Sequence, residues 1–155
     1  MPPNRCVSSS VSSQRCETLP PVVVAVDPGR VRCGIAVVPA YGPPLARHVG
    51  TADAAADEVV RLSRRYRPVA VLLGNGTGSD AVLRRVRDLA PELRVEVVDE
   101  SRTSEEARRR WFVERPPRGW RRLVPRGLLI PDAPYDDLVA VILAERWWAA
   151  QGSQT

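Results

Sequence analysis

The sequence has 155 residues, of which 44% are hydrophobic and 26% charged, and these values are typical of a single soluble globular domain. All 23 basic residues are arginine, and the net charge of +5 favours an anionic partner such as nucleic acid, although an arginine-rich genome would produce the same excess. The absence of lysine excludes Schiff-base chemistry and a lysine-bearing phosphate loop. With a single histidine, any acid–base or metal chemistry must rest on carboxylates.

Location and domain limits follow from the distribution of apolar residues. No stretch approaches the roughly 20 apolar residues that a membrane span needs, and the first residues show no apolar signal sequence, so we expect a cytoplasmic protein without a membrane partner. Residues 1–20 are rich in Ser and Pro and are predicted to be a disordered tail. Residues 21–150 form the predicted domain, and residues 151–155 a second short tail.

Three cysteines form an odd set that we interpret as reduced thiols, namely Cys6, Cys16 and Cys33.

The first half of the domain is predicted to be rich in strands. Alternating and continuous apolar runs separated by Gly and Pro indicate three consecutive strands that pair in antiparallel fashion. A helix then opens at Thr51 or Asp53 and stops before Pro68, and a short buried strand follows it. The four predicted strands of this half are Val22–Asp27, Cys33–Pro39, Leu45–Gly50 and Val69–Leu73.

The second half alternates helices and strands. Ser79 is expected to cap a helix that ends before Pro91, and Arg94–Val98 is the fifth strand. Thr103 and Glu106 have the spacing of a capping box for the next helix, which runs to about Glu114. A Pro- and Arg-rich loop, residues 115–134, precedes a buried helix over residues 135–148. The sequence predicts an α/β fold with a mixed five-stranded sheet, three antiparallel strands followed by parallel ones, flanked by helices.

Acidic residues stand where several of these elements begin or end. Asp27 ends a buried strand, where an unpaired charge is costly unless it caps a turn or meets a cation. Asp99 and Glu100 follow the fifth strand, and Asp136 and Asp137 begin the last helix, whose N-terminus would also attract negative charge. Ligands collect at the carboxyl ends of the strands in such sheets, and clustered carboxylates suit hard divalent cations.

The order of these motifs resembles the YqgF/RuvX family of RNase H-like nucleases. The family's first motif, D-x-G-x-x-R-x-G-x-A, is complete from Asp27 to Ala36. The second, D-E-x-x-T-[ST]-x-x-A, departs slightly as "DESRTSEEA", and the third is an Asp that leads the apolar helix "DDLVAVILAERW". The resemblance covers residues 22–148. "GNGTGS", Gly74 to Ser79, replaces the family's Gly-Leu-Pro and is similar to a run in the RNase H-like domain of Tex transcription factors.

This resemblance implies a metal-dependent nuclease with an RNase H-like fold. Asp27, Glu100 and Asp136 would be catalytic and would bind Mg²⁺ or Mn²⁺, in a two-metal site, with Asp137 as a further metal ligand. Strand alternation does not choose between Asp99 and Glu100, and the family pattern favours Glu100. The substrate would be a Holliday-junction-type branched DNA or the precursor of 16S rRNA. The oligomeric state stays open, although symmetric cutting of a junction would require a dimer.

Basic and polar residues near these acids are candidates for nucleic-acid binding. Trp120 in the arginine-rich loop would either stack on a base or anchor the loop to the core, and Arg30 and Arg32 could instead form structural ion pairs. A non-catalytic RNase H-like nucleic-acid-binding module is the alternative function. The predicted nucleic-acid contacts are Arg30, Arg32, Asn75, Thr77, Ser79, Arg102, Arg118, Arg121, Arg122 and Arg126.

Overall fold

A computed structural model describes residues 20–125, 128, 129 and 131–152 of the chain. A five-stranded sheet has the strand order β3-β2-β1-β4-β5, in which β1, β2 and β3 are antiparallel neighbours and β4 and β5 run parallel to β1. The strands are β1 (Val22–Pro28), β2 (Arg32–Pro39), β3 (Ala46–Thr51), β4 (Ala70–Gly74) and β5 (Val95–Val98). This arrangement confirms the predicted mixed sheet of three antiparallel and two further parallel strands.

Four α-helices and a short 3₁₀-helix complete the described fold. They are α1 (Ala55–Tyr66), α2 (Ser79–Leu89), α3 (Thr103–Glu114), the 3₁₀-helix (Gly119–Leu123) and α4 (Asp136–Gly152). None of these helices is long and apolar enough to cross a membrane. Helix α4 reaches further than predicted, through Gly152, so the predicted C-terminal tail is partly helical.

Some of the predictions fall on residues outside the described ranges. These include Cys6 and Cys16, Arg126, and all but Pro20 of the N-terminal tail. The remaining cysteine, Cys33, is a buried free thiol, as expected for a reduced side chain.

The predicted helix caps are wrong at all three helices for which they were expected. Helix α1 begins after Ala54 and helix α2 after Gly78, and neither start has a side-chain cap, so Ser79 is the first helical residue and not the cap. The Thr103 hydroxyl donates to the backbone carbonyl of Glu100 at 2.5 Å. Glu106 accepts instead from Arg146 of α4 at 2.7 Å. Thr103 and Glu106 therefore bond to partners outside their own helix and do not form the predicted capping box.

The sheet separates two apolar layers. Val24 and Val26 of β1 pack with α1 and α2 on one face, whereas Val23 and Ala25 pack against α4 on the other. Helix α3 lies outside α4 and packs on it through Ala107, Trp111 and Phe112. Seven consecutive residues of α4, from Leu138 to Ala144, are buried because the helix is enclosed between the sheet and α3.

Helix α4 comes into close contact with the sheet at Gly34 of β2. A Cβ atom at Gly34 would overlap the backbone carbonyl of Asp136 and would lie 2.5 Å from the backbone nitrogen of Asp137. Gly34 pairs in register with Asp27 of β1. The missing side chain of Gly34 therefore allows the first turn of α4 to rest directly beside Asp27.

We expect Gly34→Ala to destabilise the protein by about 3 kcal/mol, because the new methyl group meets rigid helix backbone that must move away. Urea unfolding followed by circular dichroism measures this loss. Gly50→Ala is the matched control, since its Cβ would meet only the His48 ring, at 3.0 Å, which can rotate. Equal unfolding midpoints for the two variants would contradict the close helix–sheet contact at Gly34.

Candidate functional site

Asp27 lies at the carboxyl end of the central strand β1. It alternates with Val23 and Ala25, so its side chain points to the face of the sheet that α4 covers. The preceding five residues are fully or nearly fully buried, whereas Asp27 is half-buried at the point where the layer opens to solvent. The sheet thus holds this carboxylate on rigid backbone at the rim of the core.

Asp136 reaches the same place from the first turn of α4. Its backbone rests on Gly34, the partner of Asp27 in β2. Its Oδ2 atom is buried and accepts no hydrogen bond, although Arg32 Nε lies 3.5 Å away and forms an ion pair with it. The side chain of Arg32 is 57% exposed, so its guanidinium remains open to a further anion.

Glu100 completes the group from the segment after β5. Its carboxylate lies against two glycines of the β4–α2 connection, where a Cβ on Gly74 would overlap Oε2 and one on Gly76 would lie 2.5 Å from Oε1. A hydrogen bond joins the Glu100 and Asp27 side chains. The glycines of "GNGTGS" therefore provide the space in which Glu100 meets Asp27.

Asp99, the alternative to Glu100 that strand alternation left open, has an exposed carboxylate outside this group. Its exposed carboxylate accepts from the Ser101 hydroxyl at 2.7 Å and from the Ser101 backbone N–H at 3.2 Å. These hydrogen bonds hold the pKa of Asp99 below its ordinary value. Asn75 reinforces the turn, because its side-chain oxygen accepts from the Glu100 N–H at 3.2 Å.

The surroundings of Asp27 and Glu100 raise the pKa values of both carboxyl groups. Burial, the adjacent Glu100 and Asp136, and the hydrogen bond to Glu100 together raise the pKa of Asp27 from 3.8 to about 7. Burial also raises the pKa of Glu100, and the nearby Asp99 charge adds to this, while the hydrogen bond from Asp27 opposes it. Protonated Asp27 is therefore the donor and Glu100 the acceptor of the bond between them.

Asp137 lies apart from the other three acids. It accepts from Arg47 Nε of β3 at 2.8 Å, and Arg47 also contacts Glu114 of α3 at 3.3 Å. This ion pair fastens α4 to β3 and α3. The contacts of Asp137 therefore do not support the prediction that it is a metal ligand.

The remaining acids have the donor atoms that a hard divalent cation prefers. Glu100 Oε2 and Asp136 Oδ2 are buried oxygens without a hydrogen-bond partner, and such atoms lose hydration that a cation would replace. Across the described ranges no three His, Cys, Asp or Glu side chains are arranged to hold a metal ion. The unpartnered carboxylate oxygens of Glu100 and Asp136, next to the Asp27 carboxyl group, are donors of the type that a hard divalent cation binds.

An open cavity of about 460 Å³ adjoins Asp136, whereas neither Asp27 nor Glu100 lines it. Arg32 and Asp136 form one side of it, and Asp132 and Tyr135 belong to the segment before α4. Arg108 of α3 also lines the cavity and donates to the backbone carbonyl of Leu129. Sequence reasoning missed Arg108 and Tyr135, because nothing in their local pattern shows that α3 and this segment meet beside Asp136.

The other residues predicted to bind nucleic acid are spread over several surfaces. Asn75 accepts a hydrogen bond from the Glu100 N–H and so stabilises the Asp99–Glu100 turn. Arg102 precedes α3 and has a left-handed backbone conformation, with φ of 61°. Arg30 and Thr77 line a second cavity of about 580 Å³ between α1 and α2. Ser79 is half-buried in the first turn of α2.

Three described arginines of the 115–134 segment differ in their surroundings. Arg118 and Arg122 are exposed, whereas Arg121 donates to Asp132 at 3.1 Å.

Trp120 is 75% exposed, so the alternative in which it anchors this loop to the core is wrong.

Comparison with known proteins places this architecture among solved resolvase structures. No family model and no curated protein matches the chain. A structure of Fowlpox virus resolvase with its substrate Holliday junction DNA superimposes with a TM-score of 0.57, at 12% identity over 84% of this chain and 98% of that chain. RuvC of Thermus thermophilus gives a TM-score of 0.54, at 18% identity over 85% and 97% of the two chains. A second structure of the Fowlpox virus Holliday junction resolvase gives 0.54, at 14% identity over 86% and 99%.

At these identities the comparisons establish the fold. The mixed sheet with flanking helices is the RNase H-like architecture that these resolvases share, as the sequence predicted.

The raised pKa of Asp27 predicts a pH-dependent cost to stability in metal-free buffer. Between pH 3.8 and about 7 only the folded state holds the Asp27 proton, so folding becomes less favourable as pH rises and the loss is complete above about pH 7. Asp27→Asn removes the ionisation, so we expect the variant to match the wild type near pH 4 and to exceed it by about 2–4 kcal/mol near pH 8.

Urea unfolding in EDTA at several pH values measures this difference. Asp53→Asn, on the exposed segment before α1, is the control for general effects of removing a carboxylate. A constant difference between wild type and Asp27→Asn across this pH range would contradict the raised pKa.

Proposed function

We propose that this protein is a divalent-cation-dependent nuclease that hydrolyses phosphodiester bonds in branched nucleic acid of the Holliday-junction type. The observation that carries the proposal is the meeting of Asp27, Glu100 and Asp136, from three separate elements, at the open end of the sheet. Arg32 forms an ion pair with Asp136, and both residues line an accessible cavity. Paired carboxylates next to an exposed guanidinium suit the binding and cleavage of a phosphodiester.

The choice of a branched DNA substrate is supported by the solved structures of the same fold. One of them is a viral resolvase with its substrate Holliday junction DNA. The finer assignment to the YqgF/RuvX family rests on the three motifs whose acids the fold brings together. The resemblance to that family also implies precursor 16S rRNA as a substrate. Cleavage rates on a DNA junction and on precursor rRNA, measured side by side, distinguish the two substrates.

Each residue of the centre has a separate role in the proposal. Asp27 and Glu100 would bind the cation from the sheet side and Asp136 from the helix side. When bound, Mg²⁺ or Mn²⁺ supplies an activated water and stabilises the charge that develops on the leaving oxygen. Arg32 would hold the phosphate through its exposed guanidinium while its Nε remains near Asp136. Asp137 instead keeps α4 in place through Arg47.

A specific observation favours a second candidate, a nucleic-acid-binding module without turnover. Asp27 is hydrogen-bonded to Glu100, and within the described part of the chain the acids are not arranged as a ligand set. If the hydrogen bond is stronger than the attraction of a cation, the protein would bind nucleic acid without cutting it.

A cleavage assay with matched acid variants tests the two candidates. A four-way DNA junction, an uninterrupted duplex and precursor rRNA are incubated with Mn²⁺ or with EDTA. We expect metal-dependent cleavage of the junction and a loss of roughly 100-fold or more in Asp27→Asn, Glu100→Gln and Asp136→Asn, because each removes a cation-binding charge.

The acid next to Glu100 provides the control. Asp99→Asn should stay within about threefold of the wild-type rate, since its carboxylate does not join the centre. Equal losses in Asp99→Asn and Glu100→Gln would show that the assignment of the centre is wrong. Metal-independent binding with no cleavage by wild type or variant would establish the non-catalytic module.

A further inference from the structure

The 3₁₀-helix after α3 presents apolar side chains to solvent. Trp120 is 75% exposed and Leu123 is 88% exposed. The other tryptophans belong to the fold: Trp111 is 5% exposed in the α3–α4 interface, and Trp147 and Trp148 bond to Glu96 and to the Val38 carbonyl. Only Trp120 therefore has most of its ring free for a partner.

The charge around Trp120 defines the chemistry of that partner. Residues 115–131 contain five arginines and no acidic residue. Arg118 and Arg122 lie two residues before and after the tryptophan and are exposed, and among the described residues no hydrogen bond or ion pair occupies their guanidinium groups. An exposed aromatic ring between unpaired arginines matches a ligand that combines a flat apolar surface with closely spaced negative charges. Unpaired nucleotides have both features.

The position of this 3₁₀-helix links it to the carboxylate centre. Arg121 lies between Trp120 and Arg122 and donates to Asp132 at 3.1 Å. Asp132 lines the same cavity of about 460 Å³ as Asp136 and Arg32. A strand that passes over the cavity is therefore within reach of the tryptophan, which favours nucleic acid over a lipid surface or a second protein.

We propose that residues 118–123, the tryptophan ridge, bind nucleic acid by stacking Trp120 on an unpaired base while Arg118 and Arg122 contact the flanking phosphates. The inference deepens the proposed nuclease function and rests on it for the identity of the substrate. It assigns the substrate class as nucleic acid with unstacked bases, at a branch point or in a single strand, and not continuous duplex, whose bases are not accessible to the ring.

Binding in EDTA tests the ridge without any contribution from cleavage. The labelled probes are a four-way junction, a single strand and an uninterrupted duplex of the same length, measured by fluorescence anisotropy. Trp120→Ala should weaken binding of the junction and the single strand about 10-fold and leave duplex binding within about twofold. Trp120→Phe should restore most of the affinity. Arg122→Ala should weaken all three complexes and reduce the slope of log affinity against log salt by about one.

Tyr41→Ala is the matched control, because Tyr41 is an aromatic residue that is 68% exposed on the β2–β3 connection, outside the ridge. It should change none of the three affinities. Tryptophan fluorescence gives an independent signal, since quenching by the single strand should disappear in Trp120→Ala. Unchanged affinity of Trp120→Ala for every probe would overturn the proposal.

Other occupants of the ridge give different results. If Trp120→Ala changes the sedimentation mass and not nucleic-acid affinity, the ridge is an interface between copies of the chain and the proposal fails. If the variant loses binding only to vesicles containing phosphatidylserine, the ridge contacts membrane and the proposal also fails. If wild type shows the Trp120-dependent binding but never cleaves with Mn²⁺, the nuclease function fails and the ridge stands.

Discussion

The contact between the first turn of α4 and Gly34 of β2 determines where the acidic centre forms. Because Gly34 has no side chain, the backbone of Asp136 rests on the strand beside Asp27. Glu100 then enters from the opposite side, in space that Gly74 and Gly76 leave empty. The position of three charged groups thus depends on close backbone packing, which is more rigid than contacts between side chains.

This packing gathers like charges at the edge of an apolar layer, where they repel each other. Burial and this repulsion together raise the pKa of Asp27 to about 7. The buried oxygens of Glu100 and Asp136 that have no hydrogen-bond partner add a cost in lost hydration. A fold that keeps such an arrangement gives up stability for an electrostatic field that attracts cations. The adjoining Arg47–Asp137 pair, with its favourable charges, anchors the same helix.

Most of the architecture and part of the centre could be predicted from the sequence. Apolar runs identify the strands because β1 and β4 are buried on both sides, and the acidic residue at the end of β1 is conspicuous for the same reason. The helix starts were mispredicted, since Thr103 and Glu106 bond to distant partners rather than to their own helix. Local pattern has no information about such partners.

The choice within each acidic pair also depends on tertiary structure. Glu100 faces the glycines of the β4–α2 connection and Asp99 does not, and Asp137 forms an ion pair with Arg47 from a strand distant in sequence. The exposure of Trp120 likewise depends on how the loop after α3 lies on the molecule. The residue types in the sequence therefore indicate a carboxylate centre. Which of two neighbouring acids belongs to that centre depends on the folded structure.

The enclosure of α4 between the sheet and α3 has a consequence for biosynthesis. Asp27 precedes Asp136 in the chain by every other strand of the sheet, so Asp136 is synthesised only after all five strands. The order of elements therefore leaves the acidic centre without one of its three acids until the last helix has been made and packs on the sheet.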